Sequence, residues 1–351
     1  MLTPRGKELW ESRNQNLTAT EAVEILHSGG TLTHAIAKSA IEDFSLAALS
    51  HRPDEASLLR TAITTPWDVG DTTSAARIQR SYDNLRGTVT WVEHLLKVRP
   101  DYASGIIVRN YQRCCAGADK SSIAVSWADY DYRRRCHFAL ELLLSSLTRD
   151  LSQREHATIS EIVADWATED NASDWVLSLW PQAKSTWQQT AIDSRSSVPP
   201  TLFADTAVPI DNLRNVSPSE QALAAFAILS ATTSQTGSLR HNGLIEMQTA
   251  YPGDRSIQLI EDASDEPFSD MMARLLQLAA MAHLQTTLRK MGNGQKCSLR
   301  FFPDGPHLRP TGLGMSPGHS GDRLTNVCRF LTDLGMLQNI DNGLCPAEAT
   351  S

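Results

Sequence analysis

Apolar residues recur every three to four positions through most of the chain, the spacing of one helix face. From Ser74 to Val98 the stripe is Ile78, Tyr82, Leu85, Val89, Val92 and Leu96, and it stops ahead of Pro100. Leu32 to Leu49 sets Ile36, Ala40, Phe44 and Ala47 on one face, and Pro53 stands where it can open the next helix. Thr20 to His27 ends at Gly29 and Gly30, which can take the left-handed geometry that stops a helix. Asp101 to Cys115 continues the theme, as does Tyr130 to Leu151 with Phe138, Leu142, Leu143 and Leu147. Thr158 with Glu161, and Ser217 with Glu220, have capping-box spacing. Pro218 suits the first position of the second of these helices, which should reach about Ser230.

Period-two signals are few and late. Ile257 to Ile260 reads as a short strand, followed by an acidic turn from Glu261 to Glu266 and a helix from Ser269 to Met291. Cys297 to Phe302 alternates, and Pro303 to Pro306 is turn chemistry, so a hairpin with His307 to Pro310 is expected. A flexible Gly-rich loop, Thr311 to Gly321, leads to a final amphipathic helix on which Leu324, Val327, Cys328, Leu331 and Leu334 share a face. Ser320 and Asp322 suit its start and Gly335 its end. Met336 to Ile340, a turn at Asp341 to Gly343, and Leu344 onward then read as a second hairpin.

All eight Trp lie between Trp10 and Trp187, a shift in composition that suggests two units with different cores. The stretch from Ser194 to Pro218 mixes Pro, Ser and Asp without periodicity and reads as a connection. The expected fold is therefore mainly α: a helical domain over 1–194, a linker over 195–218, and a smaller α+β domain over 219–351. The longest apolar runs, such as Leu275 to Ala282, are too short for a membrane span, and the first residues lack the apolar core of a secretory signal. A cytoplasmic protein is expected, with no membrane partner.

A net charge of -8 argues against a chain that coats nucleic acid along its whole surface. From residue 289 onward, however, seven Lys or Arg (289, 290, 296, 300, 309, 323, 329) face five carboxylates (304, 322, 333, 341, 348). Cys114, Cys115, Cys136, Cys297, Cys328 and Cys345 form no CxxC pair, so reduced, mostly buried thiols are expected in place of a metal site. No cofactor is expected either.

The segment Arg329 to Leu337 (RFLTDLGML), an apolar helix ending in a Leu-Gly-apolar turn that feeds a hairpin, resembles the end of winged-helix proteins. The resemblance covers about the last thirty residues, and it implies that polar residues of the helix make contacts, which here are Arg323, Asn326 and Arg329. Asp322 and Asp333 lie on the same helix, and the wing tip Asn339 to Asn342 has no Lys or Arg. Because phosphate contacts dominate nucleic-acid affinity, protein docking is favoured over DNA.

Other clusters offer alternatives. Arg149 and His156 are similar to the Arg-x4-6-His signature of HEPN ribonucleases, where imidazole would activate a ribose hydroxyl and guanidinium would stabilise developing charge. Tyr130 to His137 places Arg133, Arg134 and Arg135 among aromatics at an expected helix start, a combination that can hold single-stranded nucleic acid; packing against Asp129 and Asp131 is the simpler account. Glycines before the last helix suggest a phosphate cradle, but the order of the known motifs is missing and Asp322 stands where the phosphate would come. Trp166, Trp175, Trp180 and Trp187 read as core or interface.

The expectation is a non-enzymatic accessory or scaffold subunit that docks on a protein partner, with DNA or RNA as a further partner. A helical platform with a C-terminal winged helix resembles accessory components of prokaryotic anti-phage systems. The competing expectation is a HEPN-like ribonuclease or toxin using Arg149 and His156.

Overall fold

The computed structural model describes residues 75–168 and 215–347, apart from 263–265, 297 and 319; elsewhere it describes shorter stretches, the longest being 52–66. The helix expected from Thr20 to His27, most of that from Leu32 to Leu49, Trp175, Trp180 and most of the linker lie outside the described residues.

The described helices are α1 (His34–Ser39), α2 (Pro53–Thr64), α3 (Ala75–Val98), α4 (Ile106–Cys115), α5 (Ser122–Leu151), α6 (Ile159–Thr168), α7 (Pro218–His241), α8 (Pro252–Asp262), α9 (Phe268–Gly292) and α10 (Arg323–Asp333). Strands β1 (Phe301–Asp304) and β2 (His307–Pro310) form one antiparallel hairpin, and β3 (Leu337–Ile340) and β4 (Gly343–Pro346) form another. The chain is mainly α, with a small β contribution near its end.

Packing divides the chain into two compact units, one of Met1–Ile106 with Asp322–Ser351, the other of Ile107–Gly321. Helices α5 and α7 flank the stretch expected to separate two domains, yet they lie against each other within the second unit.

In the second unit α5 is the longest element, and its start is earlier than the apolar stripe suggested. The Ser121 hydroxyl accepts from the Ala124 N–H, and the residues after it are compatible with helix, so the helix opens eight residues before Tyr130. Phe138, Leu142, Leu143 and Leu147 are buried against the rest of the unit. Helix α7 begins with the expected box: Ser217 Oγ accepts from Glu220 N at 3.3 Å, and Glu220 Oε2 accepts from Ser217 N at 3.0 Å. It runs past Ser230 to His241 because its hydroxyls turn back onto the helix. Thr232 donates to Ile228 O and Thr236 to Thr232 O, each at 2.7 Å, so a polar stretch stays helical while buried.

Ile257 to Ile260 is not a strand but part of α8, where Gly253, Asp254, Ser256, Ile257 and Ile260 are buried. Four residues with two isoleucines fit either period, and the neighbouring helices α7 and α9 decide between them. Phe268, at the start of α9, meets Phe226 of α7 and Trp187 edge-on, each with centroids 5.0 Å apart. Trp166 of α6 is fully buried, and its indole N–H donates to Asp150 Oδ2 at 2.7 Å.

The first unit assembles around α3, with Val89, Val92, Leu95 and Leu96 buried. Helix α10 places Leu324, Cys328 and Leu331 inside. Asp322 Oδ1 accepts from the N–H groups of Leu324 and Thr325 at 2.9 and 3.0 Å. Gly335, at φ +67°, ends the helix, and the Arg60 guanidinium of α2 donates to the Leu334 carbonyl left over at that end. The β3–β4 register pairs Leu337 with Pro346 and Ile340 with Gly343, which leaves Asp341 and Asn342 as the turn.

Gly343 has φ +137° and lies so close to the Pro100 carbonyl that a Cβ would occupy its space. Replacing Gly343 with Ala should combine backbone strain with overlap and cost at least about 2 kcal/mol, read as a lowered denaturant midpoint. An unchanged midpoint would refute the close seating of β4 on the 100–103 turn.

Candidate functional site

Helix α10 is built to present one side. With Leu324, Cys328 and Leu331 inward, Arg323, Asn326 and Arg329 are exposed at three-residue intervals. Between this helix and the β3–β4 hairpin lies a cavity of about 410 Å³, bordered by Thr325, Arg329, Asp333, Asn339 and Leu344. The hairpin tip carries an exposed apolar residue, Ile340, at 41% exposure. Among the described residues no carboxylate is paired with Arg329.

The helix start is not open to phosphate. Besides capping two N–H groups, the Asp322 carboxylate accepts from the Thr325 hydroxyl at 2.6 Å. It brings a negative charge to the one place where helix geometry would favour an anion. Nor is the preceding Gly-rich stretch free, contrary to the expectation of a flexible loop. Its carbonyls at Met315, Ser320 and Gly321 accept from Ser145 Oγ, Arg134 Nε and Tyr130 Oη of α5.

The arginine cluster has a different place from the one its sequence suggested. Because α5 starts at Ser122, Arg133, Arg134 and Arg135 lie within the helix and not at its start, so no dipole opposes them. Arg134 and Arg135 are 8% and 3% exposed, too enclosed to stack or pair with a nucleic acid. Asp131, itself buried, accepts from Arg134 Nη1 at 3.0 Å and from Arg135 Nε at 2.9 Å. Arg135 also lies over the Tyr111 ring of α4, with its guanidinium carbon 4.0 Å from the centroid. Arg133 pairs with Asp129 at 3.0 Å and stands over Tyr251. Arg134 and Arg135 are thus enclosed by the packing of the unit, while Arg133 stays partly exposed at 25%.

Within the chain Arg149 and His156 are not hydrogen-bonded to each other. Arg149 Nη1 donates to the Val216 carbonyl at 2.8 Å, whereas exposed His156 stands edge-on to His307 with centroids 5.1 Å apart. Each side chain is engaged with a different neighbour.

Among the described residues, no group of three His, Cys, Asp or Glu side chains is placed to hold a metal, and no helix is long and apolar enough to cross a membrane. The thiols of Cys114, Cys136 and Cys328 are buried. Burial is the main cause that pushes each from 9.0 up to about 12, with nearby carboxylates adding to it, so none is a ready nucleophile. Comparison with protein families, curated proteins and solved structures found no match to this chain.

Sequence reasoning missed a second cavity, of about 810 Å³, in the Ile107–Gly321 unit, where Arg289, Lys290 and Arg300 meet His137 and His283. Its one sequence signal was the excess of cations after residue 289.

Asp131→Ala would strand two enclosed guanidinium groups and should cost about 3–5 kcal/mol in urea unfolding. A loss under about 1 kcal/mol would mean that Asp131 is dispensable. The raised thiols predict an alkaline effect. Protonated when folded, they contribute stability that is complete below about pH 8.5 and declines as pH rises toward 12. The melting midpoint should therefore fall from pH 8 to pH 11, and Cys→Ser at 136 and 328 should flatten that fall.

Proposed function

We propose that the protein is a non-enzymatic docking subunit that engages a protein partner through the outward side of α10 and the tip of the β3–β4 hairpin. The observation that carries this reading is the composition of that surface. Exposed Arg323, Asn326 and Arg329 stand on the helix, and exposed Ile340 stands on the hairpin. Arginine and an apolar anchor are residue types that supply binding energy at protein interfaces.

Charge favours protein over DNA. A winged-helix-like DNA reader needs cations at the wing to neutralise phosphates, and Asn339, Asp341 and Asn342 supply none. The capping carboxylate of Asp322 adds a repelling charge at the helix start. The likeness of the helix–hairpin order to winged-helix proteins, and of the whole build to accessory components of anti-phage assemblies, agrees with a subunit role.

The test is purification of the full chain from its host beside a variant carrying Arg323→Ala, Arg329→Ala and Ile340→Asp. Wild type should retain a stoichiometric partner that the variant loses while keeping its circular dichroism and melting midpoint. A partner held equally by both would place docking elsewhere. A wild-type gel shift with duplex DNA at low salt, abolished by the two arginine changes, would replace the protein partner with DNA.

A further inference from the structure

We propose that the 810 Å³ cavity of the Ile107–Gly321 unit binds a small phosphorylated ligand of nucleotide size, its phosphates held by Arg289, Lys290 and Arg300. The assignment does not depend on the docking reading.

Charge is the first reason. The chain carries a net charge of -8, yet three permanent cations line this cavity against one carboxylate, Glu141. Two of the cations lie in the last turn of α9, and the third stands just ahead of β1, so separate segments bring them together. Among the described residues no acid forms an ion pair with any of the three, whereas Arg133, Arg134 and Arg135 of α5 are matched by Asp129 and Asp131. Cations gathered around a concave space without counterions favour a polyanion.

Hydrogen-bonding capacity is the second. The imidazole of His283 accepts the Arg300 N–H through Nε2 at 3.3 Å and stands against Phe301, its ring 5.6 Å away. Burial first, then Arg300 and Lys290, lower its pKa, which favours the neutral ring; with Nε2 accepting, that ring carries its proton on Nδ1. Ser298, Thr286 and Ser316 add hydroxyls along the wall.

Shape is the third. The volume falls within the range of about 300–1,000 Å³ common to small-molecule sites. Leu140 and Leu144 of α5, with Met315 of the tethered loop, add apolar surface to a lining that also holds the cations. A ligand with a charged end and a less polar body matches such a mixed lining. A bare phosphate would leave the apolar part uncovered.

Titration calorimetry of the full chain with ATP, without divalent cation, tests the assignment. ATP should bind, Arg289→Ala with Arg300→Ala should weaken it at least tenfold, and Glu141→Gln should tighten it severalfold. That gain cannot come from misfolding. Pyrophosphate should bind at least tenfold more weakly than ATP. The proposal is overturned if millimolar ATP gives no heat with folded wild type, or if the double variant binds ATP as well as wild type does. It also falls if pyrophosphate matches ATP, or if a single-stranded oligonucleotide binds more tightly than ATP and loses affinity with the same changes.

Discussion

One carboxylate in the middle of one helix governs the larger unit. Asp131 lies between the guanidinium groups of Arg134 and Arg135, and all three are nearly excluded from solvent. An enclosed ion pair of this kind contributes little net stability, since desolvation offsets attraction, but it tolerates few geometries. The consequence is directional. With its head group fixed, Arg135 is directed at Tyr111 of α4 and reaches Gln235 of α7, while Arg134 reaches back to the carbonyl of Ser320. The adjacent Tyr132 donates to Asp254 of α8 at 2.8 Å, and Asp254 also accepts from Gln248 N. Asp131, Tyr132, Arg134 and Arg135, four residues of α5, thus connect it to three other helices and a loop.

The same network explains how a glycine-rich stretch becomes a defined wall. Glycine has a large conformational freedom to lose, so such a stretch takes one path only where its backbone groups have partners. Here the partners are Tyr130, Arg134 and Ser145 of α5. Met315 is thereby tied to α5 and lines the basic cavity along with Leu140 and Leu144. Polar groups spent on structure in one helix create the shape of a site that the helix only borders.

In the smaller unit the constraint is closure of helix ends. Asp322 satisfies the start of α10, and Arg60 satisfies its end from α2. A helix of eleven residues would be marginal alone; its caps and its buried Leu324, Cys328 and Leu331 make it a stable carrier for the exposed Arg323, Asn326 and Arg329. Gly343 then lets the hairpin seat on the 100–103 turn without a side chain between them.

Local chemistry was legible wherever it was sufficient. The capping boxes at Thr158 and Ser217, the stop at Gly335 and the second hairpin follow from hydrogen bonds and dihedral preferences within a few residues, and the sequence determined them. So did the mainly α character, because a period of three to four residues recurs along the chain. The first hairpin was legible too, but its first strand is Phe301–Asp304, so Pro303 and Asp304, expected in the turn, pair with Leu308 and His307. Tertiary structure decided the rest. Ile257 and Ile260 became helix because α7 and α9 flank them, and Thr232 and Thr236 stayed helical because burial drove their hydroxyls onto the backbone. Arg134 and Arg135 turned from candidate surface residues into an internal clamp, since only the fold shows which side of a helix is covered. Arg289, Lys290 and Arg300 were visible only as a charge excess; that they share a cavity with His283 depends on contacts between segments, and no local pattern in a sequence encodes those.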